Sequence, residues 1–138
     1  MAKLPDRLDI DKSDRKLYDH DIITNEILAG RTRKEQFLFA MAVGFKNEVK
    51  RPLDSREGFF LAKDMRSEDE ALIDSVALHD MGSAEVLSDR KAVFRIAEEY
   101  AHAGIKVLYD EATSVQPGSF LKKLELELFS LVDSLNLE

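Results

Sequence analysis

The amino-acid sequence predicts a mainly α-helical protein, a compact bundle of about five helices with one short extended segment near residues 57–62. Three observations carry that prediction. Apolar residues recur three and four apart in several separate stretches. Thr32 with Glu35 and Ser67 with Glu70 form capping boxes, in which each side chain satisfies a free backbone N–H at a helix start. The length, 138 residues with 44% hydrophobic and 34% charged side chains, suits one globular domain with a charge-rich surface.

Residues 1–16 read as a polar lead-in, either mobile or a single short extended piece, with apolar side chains at Leu4, Leu8 and Ile10. A single helical domain is expected over 17–138. From Leu17 to Leu28, apolar residues at 17, 18, 22, 23, 27 and 28 suggest a helix, and Gly30 supplies a stop. The next helix opens at the Thr32 box. Its run Phe37-Leu38-Phe39-Ala40-Met41-Ala42-Val43 is apolar on every side, which predicts a central helix surrounded by others. Gly44 permits close packing or a stop. Pro52 disfavours helix at Arg51, so 47–56 is a polar connection. Phe59-Phe60-Leu61-Ala62 then reads as a brief strand or a loop clamped onto the core.

The Ser67 box opens a helix carrying Leu72, Ile73, Val76, Ala77 and Met81, which Gly82 ends in a left-handed cap. Ser88 or Asp89 caps the following helix, whose buried stripe is Val93, Phe94, Ile96, Ala97, Tyr100 and Ala101. Gly104 is expected to interrupt it, leaving Ile105 to Tyr109 as a separate turn or a bent extension. Pro117 and Gly118 mark a break. The last segment places Phe120, Leu121, Leu124, Leu128, Leu131, Val132 and Leu135 on one stripe that resembles a short heptad seam. That seam makes a homodimer through the C-terminal helix an expectation, beside packing within its own domain.

The net charge of −7 is uneven. Residues 1–30 carry 5 basic and 7 acidic side chains, for −2. Residues 31–56 carry Arg31, Arg33, Lys34, Lys46, Lys50, Arg51 and Arg56 against Glu35, Glu48 and Asp54, for +4. Residues 57–138 carry 8 basic and 17 acidic side chains, for −9. An acidic total repels polyanions at long range, yet a local basic face overrides that at contact distance. Lys46, Lys50, Arg51 and Arg56 surround the Pro52 connection and are the candidate nucleic-acid or partner-binding residues. The alternative is that the acidic 57–138 segment simply neutralises them.

Most chemistries are absent. With no Cys there is no thiolate nucleophile, cysteine zinc site, iron–sulfur cluster or disulfide framework. Glycines at 30, 44, 58, 82, 104 and 118 build neither a phosphate-binding loop nor a dinucleotide fingerprint. Glu98 and His102 stand one helical turn apart and are able to meet, but without a second Glu–His helix they read as a surface pair. His79 near a helix C-terminus and His20 between Asp19 and Asp21 read the same way. Adjacent acids such as Asp69-Glu70, Glu98-Glu99 and Asp110-Glu111 point about 100° apart on a helix and form a solvated face. No catalytic residue, metal ligand or cofactor is assigned. The N-terminus lacks an apolar leader and no run is long enough for a bilayer, so the expectation is a cytoplasmic protein with no membrane partner.

Three stretches are familiar as a set. They are Phe37-Leu38-Phe39-Ala40-Met41-Ala42-Val43-Gly44-Phe45-Lys46-Asn47 with Arg51-Pro52-Leu53-Asp54; Ala71-Leu72-Ile73-Asp74-Ser75-Val76-Ala77-Leu78 with Gly82 and Val86-Leu87-Ser88; and Ile96-Ala97-Glu98-Glu99-Tyr100-Ala101-His102-Ala103-Gly104-Ile105. In this order, over roughly residues 33–110, the chain resembles small proteins associated with the DNA phosphorothioation (Dnd) modification and restriction systems. The resemblance implies a prokaryotic cytoplasmic accessory of a system that replaces a backbone oxygen of DNA with sulfur, or restricts DNA lacking that mark. It implies partners among the other proteins of such a system, and it carries over no catalytic residue. The lack of Cys argues against this chain handling the sulfur itself. Three functions follow as expectations: a non-enzymatic interaction component, a direct DNA-binding module using the basic segment 31–56, and, least favoured, a metal-dependent enzyme around Glu98 and His102.

Overall fold

A computed structural model describes residues 5–114 and 117–136. In chain order it contains β1 (Arg7–Asp11), a 3₁₀ turn (Lys12–Asp14), α1 (Arg15–Tyr18), a π-helical turn (Ile22–Ile27), α2 (Arg33–Lys46), β2 (Arg56–Leu61), a 3₁₀ turn (Ala62–Asp64), α3 (Ser67–Met81), a 3₁₀ turn (Ala84–Ser88), α4 (Arg90–Ser114) and α5 (Pro117–Asn136). The mainly α expectation holds, and the extended segment near 57–62 is β2.

The core is built on α2 against α4. Thr32 accepts from Glu35 N, and the Glu35 carboxylate accepts from Thr32 N, so the expected capping box starts α2. Phe37, Ala40, Met41 and Val43 are then buried, as an all-round apolar helix requires. The two helices run antiparallel, with Ala40 beside Gly104 and Gly44 beside Tyr100. A Cβ on Gly104 would stand 1.8 Å from the Ala40 carbonyl oxygen, and one on Gly44 would stand 2.1 Å from the Tyr100 carbonyl oxygen. The helices thus meet backbone to backbone, at a separation only glycine allows. Gly104 therefore does not interrupt α4. It is a contact residue, and α4 continues through it with Ile105 and Leu108 buried beyond.

Of the two forms expected for the lead-in over 1–16, the short extended piece is the one found, over Arg7–Asp11, but it is not set apart from the helical domain. Residues 7–11 are a strand, antiparallel to β2, with Leu8 opposite Phe60 and Asp11 opposite Arg56. Leu8 and Ile10 lie in the same core as the helices, so the boundary at residue 16 separates nothing. A bulge in the register between Leu8 and Asp9 lets consecutive Phe59 and Phe60 both enter the core, against Tyr18 and Phe37 respectively.

The helix expected over 17–28 divides into α1 and the π-helical turn. The apolar positions explain it: 17, 22, 27 and 18, 23, 28 are each five apart, one residue too many for an α-helical stripe. The chain adopts a five-residue repeat, with Leu28 N donating to Ile23 O, and so buries Tyr18, Ile23 and Leu28 together. The α3 cap also shifts by one residue. Arg66 is the N-cap and Asp69 accepts its N–H, in place of Ser67 and Glu70. Gly82 ends α3 at φ 68°, and Asp89 caps α4 by accepting from Ala92 N. On α5, Leu128, Leu131 and Leu135 pack on the core, whereas Val132 leaves the expected stripe for solvent. The expected contributions of Phe120, Leu121 and Leu124 lie outside the described side chains.

Candidate functional site

The basic segment is held in place from three sides. α2 ends at Lys46, Glu48 takes φ 56°, and Val49 N returns to Gly44 O. Arg51 N then donates to Glu99 O, which pins the connection to α4 before Arg56 opens β2. Five of its seven cations are in ion pairs: Arg31 with Glu35, Arg33 with Asp19, Lys34 with Asp69, Lys50 with Asp80, and Arg56 with Asp9 and Glu98. Lys46 and Arg51 have no ion pair among the described residues. Four of these five cations, Arg33, Lys34, Lys50 and Arg56, pair with acids outside the segment, so the +4 is largely compensated within the molecule.

Nor do the four candidates form one site. Lys50 and Arg51 line a groove with Lys106, Val107 and Asp110 of α4. Lys50 Nζ also reaches both carboxylate oxygens of Asp80, at 2.9 and 3.0 Å, and Tyr100 donates its hydroxyl to the same carboxylate at 2.6 Å. Burial and that carboxylate push the Tyr100 hydroxyl well above its ordinary pKa, so it stays a donor. Arg56 faces a different pocket, between β1 and α4. Lys46 lines neither.

Glu98 and His102 require a correction, because they are not a surface pair. They are 4% and 8% exposed. Each is held by the N-terminal residues that the sequence reading set aside. Glu98 accepts from Asp9 N at 2.8 Å and from Arg56 Nη1 at 2.5 Å. His102 Nδ1 lies 2.6 Å from Asp14 Oδ2, and its Nε2 lies 4.0 Å from Asp11 Oδ2. Asp11 in turn accepts from Ser13 Oγ and from the backbone N–H groups of Ser13, Asp54 and Ser55.

These settings split the carboxyls. Burial works to raise Asp11, but its four hydrogen bonds outweigh that and hold it well below the usual carboxylate range. Burial wins at Asp14, despite His102, and at Glu98, despite Arg56, so both are raised. The arrangement ties β1, the 3₁₀ turn and the 54–55 connection to α4. The Ser13 hydroxyl is spent on Asp11. Among the described residues no group of three or more His, Asp or Glu is placed to hold a metal ion.

Asp9, Asp11 and Asp14 were missed as site residues. Leu8-Asp9-Ile10-Asp11 does alternate as a strand does, but acids on the second face of a strand normally signal solvent. Here α4 covers that face.

Another surface feature is on α5. Leu126 is 66% exposed, Phe129 70% and Val132 37%. Phe129 and Val132 line a groove with Phe39, Leu128, Arg31 and Glu125. No helix among the described residues is long and apolar enough to cross a membrane.

Comparison with known proteins gives one result. Residues 23–130 match the family model described as DNA sulphur modification system-associated protein 4. No curated protein and no solved structure matches the chain.

Proposed function

Because this chain belongs to the DNA sulphur modification system-associated protein 4 family, we propose that it serves such a system as a non-enzymatic accessory that binds a partner protein through α5. One observation carries the reading: the outward face of α5 leaves Leu126, Phe129 and Val132 uncovered while Leu128, Leu131 and Leu135 anchor the same helix on the core. Large apolar side chains at successive turns of one helix are what a docked helix or apolar segment covers. Glu125 and Asp133 share the face of the stripe, so the fitting partner presents apolar side chains bordered by Lys or Arg.

A second copy of this chain fits less well. Pairing α5 with itself in parallel sets each acid beside its own copy, and antiparallel pairing about Phe129 sets Glu125 against Asp133. The homodimer expectation therefore yields to a heterologous partner. The DNA-binding alternative through segment 31–56 alone is disfavoured because Lys50 and Arg51 line one groove, Arg56 another and Lys46 neither, so the segment by itself offers no continuous basic face. The metal-dependent alternative finds no ligand group among the described residues.

Co-expression with each other protein of a DNA sulphur modification system, followed by size-exclusion chromatography, tests this. One of them should comigrate, and Leu126→Asp with Phe129→Asp should abolish the complex while leaving the melting temperature of the free protein nearly unchanged. Absence of any complex, or a complex indifferent to these substitutions, overturns the reading.

A further inference from the structure

Arg56 shares its pocket with cations that come from outside the basic segment. The pocket has a volume of about 270 Å³ and is bordered by Arg7, Arg56, Lys91 and Arg95, with Asp9 and Glu98 on its buried side. Arg7 opens β1 and Arg56 opens β2, whereas Lys91 and Arg95 lie one turn apart on α4. Only the tertiary fold brings these four together.

The Arg56 guanidinium is braced from behind by hydrogen bonds, whereas Arg7 pairs with the Asp9 carboxylate by charge alone. Arg7 Nε lies 2.9 Å from Asp9 Oδ1, and Arg56 Nη1 lies 2.5 Å from Glu98 Oε1 and 3.3 Å from Asp9 Oδ2. Glu98 is fixed in turn by Asp9 N. A guanidinium has five N–H donors in a fixed fork, and the bonds to Arg56 use its Nη1 only. Lys91 and Arg95 are exposed and have no ion pair among the described residues. Asp6, Asp9 and Glu98 are the acids of the lining, which leaves an excess of one positive charge in a chain whose total is −7.

We propose that this pocket binds a phosphate group, with Lys91 and Arg95 as the free cations and Arg7 and Arg56 as positioned hydrogen-bond donors. The charge of one phosphodiester balances the local excess, and planar guanidinium forks suit its paired oxygens. Phosphate contacts of this kind fix a protein on a nucleic-acid backbone without reading its sequence. The source of the phosphate is either such a backbone or a small free phosphate. The α5 surface plays no part in it, so the two proposals stand or fall separately.

The test uses the full chain, a short fluorescein-labelled DNA duplex and inorganic phosphate. Fluorescence anisotropy should show duplex binding at low salt that weakens as salt is added. Lys91→Glu with Arg95→Glu should weaken it by about tenfold or more. Lys46→Glu with Lys63→Glu, exposed cations elsewhere that change the net charge equally, should weaken it by about twofold at most. Two-dimensional NMR should show phosphate shifting the amide signals of Arg7, Lys91 and Arg95. Shifts with phosphate but no duplex binding support the site with a small phosphate as its source. Equal losses for both charge-reversed pairs, or neither duplex binding nor phosphate shifts in the parent protein, overturn the proposal.

Discussion

Asp11 shows how one side chain organises several backbone segments. Its carboxylate collects Ser13 Oγ, Ser13 N, Asp54 N and Ser55 N, and lies 4.0 Å from His102. Its folded pKa is depressed, so its stabilisation is fully present above the ordinary carboxylate value and is lost as pH falls towards the lower folded value. Asp11→Asn keeps the shape but turns an amide NH₂ towards backbone donors. The variant should lose about 2 kcal/mol at pH 7, measured by urea denaturation. That gap should narrow as pH drops below about 4, because the parent then loses what the variant already lacks. A gap unchanged on acidification would show that the charge of Asp11 is immaterial. Asp14 and Glu98 oppose this trend: with folded values raised, their contribution is greatest in acid and declines as pH rises through their range. The residue types were plain in the sequence, but Asp11 stands 43 and 91 residues from Asp54 and His102, separations at which no local pattern connects them.

At the scale of elements, α2 and α4 depend on their glycines more than on any apolar pair. A methyl group at residue 104 would stand 1.8 Å from the backbone oxygen of Ala40, and no side-chain rotation relieves that. Gly104→Ala forces the helices apart and should cost about 3 kcal/mol, even though alanine is the better helix former. For a chain of this length that lowers the melting temperature by roughly 10 °C. A variant as stable as the parent would mean that the contact yields freely. The Thr32 capping box with its long apolar run located α2, and apolar spacing of three and four located α3 and most of α4, because such a stripe has a single helical solution. Periodicity misread Gly104, since a glycine that breaks a helix and one that admits a neighbour look alike until the neighbour is known. It also merged α1 with the π-helical turn, although the five-residue repeat of 18, 23 and 28 held the distinction.

Across the whole molecule, the charge segregates along the chain and recombines in space. The acids that answer Lys34, Lys50 and Arg56 include Asp69, Asp80 and Glu98, all within the −9 region. Most of these pairs are partly exposed and weak singly, while the Arg56 pair rests on a buried carboxylate that salt screens poorly. Raising sodium chloride from low to about 0.5 M, several times the physiological level, should therefore shift the melting temperature by only a few degrees. A large fall in calorimetry would mean that the pairs dominate stability.

Composition and periodicity were enough to establish a mainly helical chain without thiol chemistry, and the ordered motifs of 33–110 were enough to indicate its family, which the match over 23–130 bears out. Those properties are local or additive, so they survive in a linear string. Which cations are already paired, that Glu98 and His102 are buried against β1 and the turn after it, and that Arg7, Arg56, Lys91 and Arg95 share one pocket were fixed only when α4 packed against the long-range β1–β2 pair. Such facts depend on distances between residues remote in sequence, and those distances exist only in the folded chain.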